Sequence, residues 1–417
     1  MSRAGQQEAS AATSAQSSKQ VADSTKPKQQ AAQEVESRDG EKDVHCSPLL
    51  RGEPSLLAAE GLFAARSIES RSTIFSEAAL LTIDVNIAVP NQEEFLAQVR
   101  YLSDDQKSAL IHLGHHGTVR YRVDDIDKLL ELDAAAATHF LIGTFWHFCY
   151  PFVKGQARHG LFEWTSFLNH ECKPNCELSF NPKTNLLTLR ALEDIEEGRE
   201  VTISYISPYA TWTDRNVNLG FFCRCRSRWD MGRGRRARRK FDARESRLES
   251  LSEGLPVLRL YRDQWFAGQE PMDMAPADRL QAARAIVAAP ETEEIRNKLE
   301  ELLLVAQKEA SWQSELSIIF EVKYLLYMAK STVTGDEKAK NEALDAKGVQ
   351  FKLLGRCLGL AHPQVQRAKL ICFALLDGNE EGFLADVDEL EEFEIDGTLI
   401  RAKQRCYPRS ECGRLGP

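Results

Sequence analysis

The sequence predicts an α+β domain with inserted helices, followed by an all-α helical bundle. Three observations carry this reading. Between about residues 50 and 206, short segments rich in Thr, Ile and Val alternate apolar with polar residues, the mark of half-buried strands. A polar knot, Asn169-His170-Glu171-Cys172-Lys173-Pro174-Asn175-Cys176, interrupts that pattern after the mostly apolar run Leu161–Leu168. Beyond Phe241 the apolar residues recur at helical spacing.

Bulk properties bound the function classes. The 417 residues suffice for two or three cores. Hydrophobic content of 43% and charged content of 28% are those of an ordinary globular protein. A net charge of -9 argues against nucleic-acid binding by the whole chain, because phosphate contacts need an excess of Lys and Arg. Ten cysteines are too sparse for a disulfide scaffold, and several cluster as candidate metal ligands. No apolar run approaches the ~20 residues that span a bilayer. No apolar secretory segment opens the chain. The expectation is a reducing compartment, nucleus or cytoplasm, with no membrane partner.

Residues 1–44 are dominated by Gln, Ala, Ser, Lys and Glu and bury too little apolar surface to offset their ordering entropy, so a disordered tail is predicted. Ser55–Ala59 and Gly61–Arg66 read as strands around a glycine, and Thr73–Glu77 and Leu80–Val85 continue the β pattern. A helical insertion follows at about residues 91–140. Phe95, Leu96 and Val99 share one face there, and Ser103 with Gln106 fits a capping box. A single further helix is predicted over Asp124–Ala137. The aromatic-rich Leu141–Val153 should be buried beside whatever ligand the domain holds. Asn185–Leu192 and Val201–Ile206 are predicted strands, the second containing Tyr205. Leu219–Cys225 forms a compact apolar patch bearing thiols.

Residues 226–240 carry eight Lys or Arg and read as a solvated basic loop or linker, placed at 230–245. An import signal or contact with acidic chromatin surfaces is the second reading of that stretch. The helical domain is placed at 246–417. Trp312, Leu316, Ile319, Phe320, Tyr324 and Tyr327 make its longest amphipathic stripe. Without a fixed-period repeat, a bundle is preferred over a TPR-like array. The acidic run from Glu380 to Asp396 reads as helix surface and linker.

Asn169-His170-x-Cys172-x-Pro174-Asn175 resembles a signature of SET-domain protein lysine methyltransferases. Gly198-x-Glu200 followed by a strand to Tyr205 resembles their second signature, Gly61-Leu62-Phe63-Ala64 their opening glycine strand, and Gly220-Phe221-Phe222-Cys223-x-Cys225 their post-SET segment. The four motifs stand in the family's order over residues 50–229, with 219–229 as a degenerate post-SET segment. The inserted and C-terminal helices make the chain similar to the SET-and-MYND and fungal SET-domain subgroup. The MYND zinc insertion itself is lacking, since only Cys149 lies between Cys46 and Cys172.

The resemblance implies a SET β-fold of small sheets with a pseudo-knot, and methyl transfer from S-adenosyl-L-methionine to a lysine ε-amine. The substrate would be a histone or another basic protein, with chromatin association. It implies Tyr205 as the catalytic residue. Asn169 and His170 would contact the cofactor, Gly61, Leu62 and Phe63 would close over its amino-acid end, and Phe221 or Phe222 would stack on the adenine, with Phe222 as the named candidate. Cys172, Cys223 and Cys225 match three ligands of a family zinc site whose fourth position falls on Arg228; buried thiols without metal are the other reading. Alone, Tyr205 would read as strand-end packing and Gly61 as a turn residue. Three positions depart from the family: Glu171 replaces a serine, Ala59 a glycine, and Trp146-His147 stands near a usual asparagine. A catalytically weakened SET-fold scaffold, binding partners through its helical half, is therefore the rival expectation.

Overall fold

The computed structural model describes residues 47–57, 60–84, 92–116, 123–152, 158–223, 225, 235–265, 271–309, 313–376, 392–395 and 398–401. The N-terminal tail, Ala59, residues 226–234 with Arg228, Trp312 and most of the acidic run lie outside them. The strands of the first domain are Leu50–Pro54 (β1), Glu60–Ala64 (β2), Thr73–Glu77 (β3), Leu81–Asp84 (β4), Tyr150–Pro151 (β5), Arg158–Leu161 (β6), Asn169–His170 (β7), Cys176–Asn181 (β8), Leu186–Ala191 (β9) and Thr202–Ile203 (β10).

These strands form small sheets rather than one large one. β1 and β2 are an antiparallel hairpin, β3-β9-β8 and β4-β6-β5 are antiparallel triplets, and β7 pairs with β10 in parallel. Alternation sorts their side chains: Leu187, Leu189 and Ala191 of β9 are fully buried while the residues between them are partly exposed. Ser55–Leu57, expected as strand, is instead the turn after β1. The Ser55 hydroxyl accepts the Leu57 N–H at 2.9 Å, a local bond that competes with ladder pairing. The strand expected over Val201–Ile206 narrows to Thr202–Ile203, with Tyr205 just beyond it.

The insertion comprises Gln92–Arg100 (α1), Asp104–His116 (α2), Ile126–Leu132 (α3) and Ala134–Phe148 (α4), reaching past the expected limit of 140. The capping box forms: Ser103 N–H donates to Gln106 Oε1 at 2.9 Å and Gln106 N–H to the Ser103 hydroxyl at 3.3 Å. The single helix expected over Asp124–Ala137 is split at Asp133. Its N–H closes α3 on Leu129 O, while its carboxylate caps α4 by accepting from Ala136 N–H at 2.9 Å. Phe95, Leu110, Leu113, Phe140 and Phe145 pack the insertion onto Leu81 and Leu161 of β4 and β6.

Trp212–Asn218 (α5) leads to Arg235–Trp265 (α6), Pro276–Ala288 (α7), Glu291–Glu309 (α8), Ser317–Thr334 (α9), Glu337–Leu358 (α10) and Pro363–Leu375 (α11). α6 starts inside the stretch expected as basic linker. Arg, Lys and Ala are good helix formers, and Glu309 of α8 pairs with Arg244 at 3.1 Å and Arg247 at 2.8 Å. Glu392–Ile395 (β11) and Thr398–Arg401 (β12) form an antiparallel hairpin where helix surface and linker were expected. The alternation Glu392-Phe393-Glu394-Ile395 has strand periodicity.

The two halves share a core. Leu192 and Tyr209, from the β part, are buried with Leu251, Leu302, Ile319 and Leu353 of the helices. Polar groups join them as well: Arg356 donates to Leu192 O at 2.7 Å, Ser207 Oγ to Glu315 at 2.9 Å, and Ser314 N–H to Glu177 at 3.2 Å. Among the described residues no helix is long and apolar enough to cross a membrane.

Candidate active site

Three chain segments meet at the knot. The segment 198–203 runs between β2 on one side and residues 169–175 on the other. Toward β2, Ala64 N–H donates to Arg199 O at 2.9 Å and Val201 N–H to Leu62 O at 2.7 Å. Toward the knot, Thr202 lies opposite Asn169 and Ile203 opposite His170, and Glu171 N–H donates to Ile203 O at 2.9 Å. Asn175, fully buried, fastens the crossing. Its Nδ2 donates to Glu200 O and its Oδ1 accepts Thr202 N–H, both at 2.8 Å. Gly198 turns the chain into this segment with φ +75°, a conformation glycine adopts without strain.

Asn169 is held tightly. Its Nδ2 lies 2.7 Å from Glu60 O and 2.7 Å from Glu200 Oε1. The first neighbour is a pure acceptor and the second a carboxylate oxygen, so the amide orientation is fixed with Oδ1 directed away from both. This packing explains the glycine at 61: a Cβ there would lie 2.4 Å from Glu200 Oε1 and 2.7 Å from Asn169 Nδ2.

His170 is buried and uses both ring nitrogens. Tyr205 N–H donates to Nδ1 at 3.2 Å, leaving the proton on Nε2, 3.4 Å from Cys172 Sγ. Burial, with the Arg215 charge reinforcing it against the opposing Cys225, pushes His170 down to about 4, so the ring is neutral at physiological pH. The Tyr205 hydroxyl donates to Leu168 O at 2.6 Å. Burial and then the nearby Glu200 carboxylate push it up to about 12, so it stays protonated. The rings of His170, Tyr205 and Phe221 form a mutually tilted trio at centroid distances of 5.5, 6.4 and 6.4 Å. Arg215, buried, donates to Ala210 O and Pro208 O and so braces the loop after Tyr205.

The structure brings Cys172, Cys223 and Cys225 into one buried cluster with Leu219. Cys172 and Cys223 Sγ are 3.7 Å apart. That spacing matches one edge of a tetrahedron with Zn–S bonds of about 2.3 Å, so Cys172 and Cys223 fit two corners of a zinc site, with Cys225 buried beside them. His170 Nε2 is close enough to be grouped with Cys172 and Cys223. Ligation through Nε2 would put the proton on Nδ1, against Tyr205 N–H, so His170 is better placed as a hydrogen-bonding neighbour. A zinc held by these cysteines would staple the post-SET segment to the knot. Without metal, hydrogen bonding to the Cys223 and Cys225 thiols, and then burial, hold Cys172 well above the ordinary thiol range.

The predicted residues divide into two groups. Asn169, His170, Tyr205 and Gly61 converge, and Phe221 joins them. Phe63 bridges to Glu200 through its backbone. Leu62 turns its side chain into the core, so only its backbone is at the site. Phe222 is 69% exposed, and the ring that meets His170 and Tyr205 is that of Phe221. Of Trp146-His147, Trp146 is half-exposed and packs edge-on against Phe145. Glu171, in place of the family serine, accepts from Thr202 Oγ1 at 3.2 Å and is pushed up mainly by burial. Sequence reasoning assigned no role to Asn175, Glu200 or Ser55. The close approach at Gly61 is the signal for Glu200, and it requires a partner that only three dimensions supply.

This arrangement defines the class. Residues 59–206 match the SET domain family model, and the chain carries a SET domain. Its relatives over that part are similar to the SET-and-MYND group. It is 35% identical over 74 residues to histone-lysine N-methyltransferase set5 of Schizosaccharomyces pombe, covering 17% of this chain and 23% of that protein. It is 43% identical over 70 residues to human histone-lysine N-methyltransferase SMYD3, covering 16% of each. It is 53% identical over 47 residues to protein-lysine N-trimethyltransferase SMYD5 of Gallus gallus, covering 11% of each. The chain thus spans less than a quarter of the length of these curated relatives. A solved SET domain of LSMT, bound to lysine and AdoHcy, aligns over 84% of this chain and 90% of its own. At 10% identity and a TM-score of 0.27, that likeness carries no argument.

Proposed function

We propose that the protein is an S-adenosylmethionine-dependent protein-lysine methyltransferase, acting on a histone or another basic protein in the nucleus or cytoplasm. The observation that carries this reading is the parallel pairing of Asn169–His170 with Thr202–Ile203, which sets the knot beside the Tyr205 hydroxyl. The SET domain supports it, as do the lysine-methyltransferase names of the relatives. The histone assignment rests on those names alone.

S-adenosylmethionine supplies an electrophilic methyl on a positively charged sulfur. What the chain contributes is alignment, the main lever when the electrophile is already activated. Because the Tyr205 O–H is committed to Leu168 O, its lone pairs face outward and accept an N–H of the target amine, aiming the amine's own lone pair. The neutral His170 ring and Phe221 line an apolar surround that favours the uncharged amine over ammonium. Asn169 Oδ1 offers an acceptor for the cofactor's ammonium group. Phe221, packed against Tyr205, offers its edge or face to the adenine. The cysteine cluster, with or without zinc, holds Phe221 and Phe222 in place.

Purified protein should bind S-adenosylmethionine in a calorimetric titration and methylate a panel of basic proteins that includes histones. Tyr205→Phe should lower transfer about 100-fold or more while leaving cofactor affinity within twofold. Undiminished transfer by that variant would refute the role of Tyr205. Absence of cofactor binding at high micromolar concentration would favour a SET-fold scaffold instead, a reading to which Glu171 in place of serine lends some support.

A further inference from the structure

We infer that Glu200 is the positioning residue for the amino-acid end of the cofactor, acting through Asn169 and through the turn that enters β2. This rests on the methyltransferase reading above and adds a residue to which that reading gives no part. One carboxylate oxygen, Oε1, accepts from Asn169 Nδ2 at 2.7 Å and from the Ser55 hydroxyl at 2.7 Å. Ser55 in turn accepts Leu57 N–H at 2.9 Å. A single atom therefore ties the knot to the turn between β1 and β2, joining residues 145 positions apart in the chain.

The geometry limits what else Glu200 is doing. Val201 and Ile203 lie in the hydrophobic core, whereas Glu200 alternates to the other face of the same segment. Glu200 thus adds no apolar packing there, and its backbone already pairs with Phe63. Its side chain is spent on two donors, both belonging to elements that bound the proposed pocket. Gly61 is bare where this carboxylate passes, with the Cβ position only 2.4 Å from Oε1. Space at the centre of the site has been kept open for the Asn169–Glu200 bond.

The consequence is specific. With both Nδ2 hydrogens engaged, by Glu60 O and by Glu200, Asn169 can present only Oδ1 to a ligand, and it presents it in one orientation. An acceptor fixed in this way selects an ammonium group over a carboxylate. If Glu200 is truncated, the amide keeps only its bond to Glu60 O, and with one of its two ties gone Oδ1 is aimed less firmly at the ammonium. The turn at Ser55–Leu57 loses its tie at the same time. The damage should fall on cofactor affinity rather than on the transfer step, because Tyr205 keeps its bond to Leu168 O. Among the described residues Oε2 makes no hydrogen bond, so a glutamine can present its Oε1 to the same two donors.

The test uses the full-length protein, S-adenosylmethionine and a basic protein substrate. Calorimetry gives the cofactor Kd, and initial rates give KM for the cofactor and kcat. Glu200→Ala should weaken cofactor binding about 10- to 100-fold, the effect of losing hydrogen bonds to a charged group, with kcat at saturating cofactor within about threefold of wild type. Glu200→Gln should recover most of that affinity. Ser55→Ala removes one of the two ties and leaves the segment 198–203 intact. It should weaken binding about three- to tenfold, and it serves if the alanine at 200 fails to fold. Wild type that binds cofactor while Glu200→Ala and Ser55→Ala bind equally well overturns the inference and leaves the methyltransferase reading standing. Equal losses in the alanine and glutamine variants overturn it too. Wild type that does not bind at all removes both.

Discussion

The knot and the helical half are stabilised by different means. In the helical half, Leu251, Leu302, Ile319 and Leu353 form an apolar core in which no single bond dictates the arrangement. At the knot the apolar residues Val201 and Ile203 point away into a separate cluster. What fastens the crossing is side-chain amide and carboxylate bonding from Asn169, Asn175 and Glu200. Apolar burial is non-directional and scales with area, while hydrogen bonds fix angle as well as distance. On the proposed reading, the part of the molecule that would hold an amine, a methyl and a sulfur in line is the part built from directional bonds.

Leu302→Ala should show the largest loss. The side chain is fully buried and packs so closely on α6 that a Cβ at Gly254 would touch it at 2.7 Å, so truncation leaves a cavity worth about 4 kcal/mol in urea unfolding. Since Leu192 and Tyr209 belong to the same core, the β part should unfold with the helices. Intrinsic fluorescence and far-UV dichroism should report one coincident transition, and two separated transitions would break the shared-core reading.

Asn175→Ala comes next, at about 3 kcal/mol. It strands Thr202 N–H and Glu200 O without their partners, and buried groups left unpaired carry the full desolvation penalty. Unlike Leu302→Ala, it should also abolish cofactor binding under conditions where the protein is still folded. If both variants lose binding only in proportion to unfolding, the contrast between the two regions fails.

The smallest effect concerns Glu77, whose carboxylate accepts Trp164 N–H, Thr165 N–H and the Thr165 hydroxyl just ahead of the knot. Burial outweighs these bonds and pushes Glu77 from 4.5 up to about 7. A raised carboxyl means that the folded state holds the proton when the unfolded state has released it. Stability is therefore full below about 4.5 and declines as pH rises through about 7. Glu77→Gln should flatten that decline, by on the order of 2 kcal/mol between pH 4.5 and 7.5, in thermal melts recorded across the range.

Much of this was legible in the sequence, for physical reasons that differ by element. The helix start at Ser103 was readable because a capping box is local, closed by residues three apart. The Leu316–Tyr324 stripe was readable because helix burial follows spacing alone. Asn169, His170 and Tyr205 were singled out through motif resemblance, and the fold brings them together. The break at Asp133 was missed because one residue serves both as the end of a helix and as the cap of the next, which periodicity does not reveal. The early start of α6 was missed because charge density was read as solvation, whereas Arg, Lys and Ala are good helix formers and the helix begins at Arg235. Ser55 and Glu200 went unassigned because no local rule links residues so far apart.

That separation has a consequence for how the protein is made. Contacts between distant residues must repay the entropy of closing long loops before they contribute anything, so they form late. Because the clasp joins Ser55 to Glu200, the pocket cannot be complete until a ribosome has released the chain well past Tyr205. A partly synthesised or partly refolded chain therefore has secondary structure but no pocket. Cofactor binding, followed in time, should serve as a stopwatch for the final closure of the fold.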